Sequence, residues 1–139
     1  MPGPDASSTG PVDLIALREA LEASWSAQTS YGGVWEVGNP ALGQCYPTAR
    51  VVQHFLPRSE IVKGNVWTGV RHEVHFWCEL KVGDATVAID LTWQQFPPGS
   101  VVTARETLDR NDLGDSPATV ARCDLLLSDV EAHLHRAVR

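Results

Sequence analysis

Apolar residues recur at helical spacing near both ends of the chain and alternate with polar ones in between. Leu14, Leu17, Leu21 and Trp25 fall on one helical face, and Pro11 suits the first turn of that helix. A second helix is predicted from about Gln44 to Leu56, with Ala49, Val52 and Phe55 at helical spacing and Pro57 stopping it. The residues between, Ser26 to Gly43, are rich in Gly, Asn, Pro and Ser, with Tyr31, Val34 and Trp35 interspersed. A loop of that length in a small domain is often functional. Three strands are predicted next, Ile61 to Val66, Val74 to Leu80 and Thr86 to Thr92, the last two forming an antiparallel hairpin that turns at about Gly83. After a turn at PPGSVV, residues 101–119 are polar and poorly periodic, which predicts irregular structure. A last helix is expected from a Ser128/Glu131 capping box, with Val130, Leu134 and Val138 on one face. Residues 1–10 lack periodicity and predict a flexible tail, leaving 11–139 as a single α+β domain with helices packed on a small antiparallel sheet.

Composition narrows the function classes. The 139 residues carry a formal charge of −6, so no basic footprint favours nucleic acid or an anionic membrane face. The longest apolar runs are far shorter than the roughly 20 residues of a bilayer span, and residues 1–11 lack the basic and apolar regions of a secretory signal. A cytoplasmic protein without nucleic-acid or membrane partners is the expectation, with Cys45, Cys78 and Cys123 as reduced thiols. Arginine outnumbers lysine nine to two, which fits a GC-rich bacterial genome.

The chemistry concentrates on Cys45. A loop delivers it into the first turn of a helix, where unpaired N–H groups and the positive end of the helix dipole favour a thiolate. The common alternative for a free thiol is a buried structural cysteine; Cys78, which alternates with the candidate face of its strand, fits that role. His75 shares a strand face with Trp77 and Glu79, while Asp90 lies among small and polar residues on the partner strand. The hairpin brings His75 and Asp90 roughly opposite each other, so that an aspartate can fix the imidazole tautomer while the histidine activates the thiol. The backbone N–H of Cys45, assisted by Gln44 or Asn39, is a candidate oxyanion hole, with plain loop and cap chemistry the equal alternative. Trp35, Trp77 and Trp93 are candidate walls of a substrate cleft, although tryptophans in a small domain more often form core; Thr92 and Gln95 join the candidate binding residues. His72, His133 and His135 read as surface residues. A zinc site from Cys45, His72, His75 and Cys78 is the rival reading, but the i, i+3, i+6 spacing of the last three scatters ligands over both faces of a strand. Neither a metal nor another cofactor is expected.

The segments WSAQTS (25–30), NPALGQCYPTARVVQHF (39–55), VHFWCEL (74–80), AIDLTWQQF (88–96) and LLLSDVEAHL (125–134) resemble the YunG-type family of small bacterial proteins. The resemblance spans most of the chain after residue 12. More distantly, the order Gly-x-Cys, His-x-Trp, Asp-x-Thr is similar to transglutaminase-like and papain-like cysteine enzymes. That likeness implies a papain-like fold and acyl transfer through a thioester, with Cys45 as nucleophile, His75 as base and acid, and Asp90 as orienter. The chain departs from the usual family pattern at Trp93 and Gln94, where Arg and Asp are typical, and at Tyr46-Pro47, which puts a shared substrate in doubt. The expected function is therefore cysteine-dependent amide hydrolysis, deamidation or amide formation on a small molecule or short peptide. The alternative is a non-catalytic binding module on the same scaffold.

Overall fold

A computed structural model describes residues 12–137. The expected tail at 1–10, Pro11 and Val138 lie outside the described residues. Helix α1 spans Leu14–Ser24 and is capped by Asp13, whose carboxylate accepts the Ile15 N–H at 2.9 Å. Leu17, Leu21 and Trp25 are buried as the periodicity predicts, whereas Leu14 at the helix start is solvent-exposed. Helix α2 spans Cys45–Phe55 and buries Thr48, Ala49, Val51 and Val52. Pro47 is tolerated there because the first-turn N–H it lacks has no intrahelical partner anyway.

Four strands follow: β1 (Glu60–Trp67), β2 (His72–Val82), β3 (Ala85–Ile89) and β4 (Val101–Thr107). They form one antiparallel sheet in the order β3-β2-β1-β4. The β2–β3 hairpin turns at Gly83, whose φ of 63° suits the first position of a tight two-residue connection. Helix α3 (Pro117–Ala137) packs on α1 and α2, and α2 packs on β2. The main apolar cluster joins Leu17 and Leu21 of α1, Val51 and Val52 of α2, Ile61, Cys78 and Ile89 of the sheet, and Leu126 and Val130 of α3. Among the described residues, no helix is long and apolar enough to cross a membrane.

Three expectations need correction. The segment after Ser100 is not irregular throughout: residues 101–107 are strand β4, paired with β1. Every β4 residue is exposed, so neither face carries the apolar alternation that marks a half-buried strand. The last helix begins eleven residues before Ser128, at Pro117. Its N-terminal hydroxyl is Ser116 Oγ, which accepts the Thr119 N–H at 3.1 Å, so Ser128 and Glu131 sit mid-helix and do not cap it. Finally, β3 ends at Ile89, which places Asp90 just beyond the strand and Thr92 at the start of a single 3₁₀ turn, Trp93–Gln95.

Candidate active site

Three elements bring the candidate residues together. Cys45 is the first residue of α2 and is partly exposed. His75 lies in the middle of β2 and is fully buried. Asp90 leaves β3 one residue after its end and reaches back, so that His75 Nε2 meets Asp90 Oδ2 at 2.7 Å. The other carboxylate oxygen, Oδ1, accepts the Thr92 N–H at 3.2 Å and lies 3.4 Å from the Thr92 hydroxyl. Ending the strand before Asp90 thus lets one carboxylate hold both the imidazole and the following turn.

Burial works against a charged imidazole, but the Asp90 hydrogen bond, the Cys45 side chain and the Asp90 charge outweigh it and hold the His75 pKa up at about 9. This balance favours the protonated ring at neutral pH. Cys45 contributes to this shift, yet no hydrogen bond of normal geometry reaches the ring's second nitrogen: His75 Nδ1 is buried without a partner. With Nε2 committed to Asp90, Nδ1 is the nitrogen left for a thiol or a ligand.

Aromatic rings fix the imidazole plane. Trp77 stacks on it with centroids 5.5 Å apart at 27°, while Phe96 and Trp93 meet it edge-on at 4.8 and 5.9 Å. Space for the indole comes from Gly64, which pairs with His75 across β1 and β2. A Cβ at position 64 would lie 2.5 Å from the Trp77 ring and 2.7 Å from the Ala104 carbonyl oxygen. On the same side, Trp77 Nε1 approaches Glu79 Oε2 at 3.4 Å, and Glu79 pairs with Arg105 of β4. Trp77 is only 6% exposed, so it backs the histidine and has little surface to offer a substrate. Trp35 is exposed in the 31–42 loop.

The other candidate side chains are engaged within the protein. Gln44 is fully buried; its Oε1 accepts from the Thr29 hydroxyl at 2.8 Å and its Nε2 donates to the Ser26 carbonyl at 3.0 Å. This bracing ties the start of α2 to the end of α1, where Trp25 Nε1 also donates to Thr48 Oγ1 at 3.0 Å. Asn39 donates to the Gln95 carbonyl at 3.1 Å, and Gln95 Nε2 to the Thr92 carbonyl at 3.0 Å. These residues build the frame of the site. Sequence reasoning missed Gly64, Phe96, Thr29 and Ser26. Of these only Gly64 carried a signal, a glycine inside a strand pattern, which marks close approach of another group.

The residues of the zinc reading do not converge. His72 is exposed and packs its ring on Trp67, and Cys78 is buried with its thiol 3.2 Å from the Ala49 carbonyl. Burial pushes the Cys78 pKa up to about 12 and also raises that of Cys123, so both are core thiols. Among the described residues no group of three or more His, Cys, Asp or Glu could hold a metal ion. An open pocket of about 430 Å³ lined by Arg50, His54, Arg110 and Cys123, and one of about 150 Å³ beside Gly64, include neither Cys45, His75 nor Asp90. The site thus joins a partly exposed thiol to a fully buried imidazole and a partly buried carboxylate.

Fold and site together define a small α+β protein with a helix-start cysteine beside a paired histidine and aspartate. The chain belongs to the YunG family: residues 13–135 match the family model described as YunG protein. No curated protein and no solved structure matches it.

Proposed function

We propose that the protein is a cysteine-dependent acyl-transfer enzyme acting on a small molecule or short peptide, on a papain-like or transglutaminase-like scaffold in the cytoplasm. The observation that carries this reading is the 2.7 Å contact between His75 and Asp90, in a ring whose raised pKa also depends on Cys45. A cation beside a helix-start thiol favours the nucleophilic thiolate. The Cys45 sulfur attacks the carbonyl carbon of an amide, and the oxygen takes up negative charge near the Cys45 backbone N–H. His75, held by Asp90, gives its proton to the departing nitrogen, the C–N bond breaks and a thioester remains. Water or an amine then attacks the thioester, His75 takes the attacking group's proton, and the Cys45 sulfur leaves with its electron pair. Three free cysteines suit a reducing compartment.

One observation favours a second reading, a binding module without turnover: His75 is fully buried with its Nδ1 unpartnered, a poor position for exchanging protons with a reactant. Mass spectrometry separates the two. Incubation with simple amides and thioesters should leave an acyl adduct on Cys45 that is absent in Cys45→Ala. Iodoacetamide at neutral pH should alkylate Cys45 well ahead of Cys78 and Cys123. No adduct, together with alkylation of Cys45 no faster than of the two core thiols, would leave the binding reading alone.

A further inference from the structure

Five large apolar side chains between residues 31 and 42 face solvent. Tyr31 and Val37 are 78% and 84% exposed, and Val34, Trp35 and Leu42 are exposed as well. The Tyr31 ring carries a charged neighbour, Arg122 at 5.4 Å from its centroid, and apolar surface of this kind is a candidate docking place. Its position is fixed by the frame of the site. The Tyr31 N–H donates to the Gly43 carbonyl at 2.8 Å, two residues before Cys45. Asn39 donates to the Gln95 carbonyl, in the turn that carries Trp93. The loop is thus tied on one side to the start of α2 and on the other to the turn beside His75. Added side-chain atoms at Gly32, Gly33 or Gly38 would meet nothing within 4 Å, so neighbouring structure does not crowd these parts of the loop.

Access and charge select the occupant. His75 is fully buried and the Asp90 side chain only 17% exposed, so a reactant approaches from the Cys45 side, which the loop adjoins. Residues 31–43 contain a single charge, Glu36, and Val34, Trp35 and Val37 are apolar, so desolvating a charged group against them is unfavourable. Building on the acyl-transfer reading, we infer that the acyl group delivered to Cys45 is uncharged and apolar, an aliphatic or aromatic chain seated against Val34, Trp35 and Val37.

Two measurements test this. In the Cys45→Ala protein, hexanamide should bind at least about tenfold more tightly than acetamide, the gain expected from burying roughly two methylenes. Trp35 emission should shift to the blue on binding, read as the difference between Cys45→Ala and the double variant Cys45→Ala/Trp35→Phe. Equal affinities, or the same spectral response without Trp35, overturn the inference. In the unaltered protein, N-hexyl iodoacetamide should label Cys45 faster than iodoacetamide does, and iodoacetate should be slowest. The hexyl-to-parent ratio should fall to about one in Trp35→Ala/Val37→Ser; an unchanged ratio, or iodoacetate labelling fastest, also overturns it. Tight hexanamide binding alongside a sluggish Cys45 leaves the apolar seat standing and removes only the acyl-transfer chemistry.

Discussion

On β2, Phe76 and Cys78 face the helices, while His75 and Trp77 face the segment that runs from Asp90 to Phe96. Phe76 packs edge-on against Tyr46, and Cys78 lies under Ala49, so the first side is built of shape and apolar area. The second side is as well buried, yet it encloses a carboxylate-bound imidazole among rings, with one nitrogen unpaired. A buried charge contributes to stability only while its partner stays in place, whereas an apolar layer depends on volume alone. The difference teaches where change is tolerated: the helix side depends on filled volume, and the opposite side depends on keeping His75 and Asp90 paired.

That contrast can be broken at graded cost. The largest loss of stability is expected from Leu126→Ala, which opens a cavity in the helix-side cluster and should cost about 3–5 kcal/mol in urea denaturation. The reactivity of Cys45 in the remaining folded protein should be unaltered. Asp90→Ala leaves the buried imidazole without its counter-charge and should cost about 2–4 kcal/mol at neutral pH, while slowing Cys45 alkylation. If Asp90→Ala is as stable as the parent, the two sides do not differ in the way described.

The pH dependence has a defined sign. The folded-state pKa of His75 is raised from 6.5 to about 9, so its contribution is fully present below about pH 6.5 and is lost as the pH rises through 9. Urea denaturation at pH 6 and pH 9.5 should differ by up to about 3 kcal/mol, and the dependence should largely vanish in Asp90→Ala. A smaller effect, about 1–3 kcal/mol, is expected for Gly64→Ala, whose new methyl presses on Trp77. The imidazole titration followed by NMR should move with it, and Trp77→Phe in the same chain should restore part of both. A stability loss with an unmoved titration would make Gly64 a packing residue only.

The parts of this arrangement that the chain announced are those with a local signature. Cys45 stood at a loop-to-helix boundary, and the His75 and Asp90 strands were joined by a Gly83 turn. What stayed hidden depended on distant partners. Strand β4 has no apolar face, and only its pairing with β1 makes it a strand. The true start of α3 lay in Ser116-Pro117, while Ser128 and Glu131 offered the same capping pattern inside the helix. Trp77 read as a cleft wall because nothing local shows that an indole rests over a glycine on the next strand. The roles of Gln44 and Asn39 were equally dark, since each is decided by a carbonyl elsewhere in the chain.

Gly64 also bears on the order in which the molecule matures. The indole of Trp77 settles only where β1 has paired with β2, and Ala104 of β4 closes the same gap from the other side. Residues separated by some forty positions must therefore meet before the imidazole acquires its plane, and contacts of such long range form slowly. A nascent or truncated chain can hold its helices together and still carry an unaligned histidine, so the setting of His75 is completed only once β1, β2 and β4 have paired.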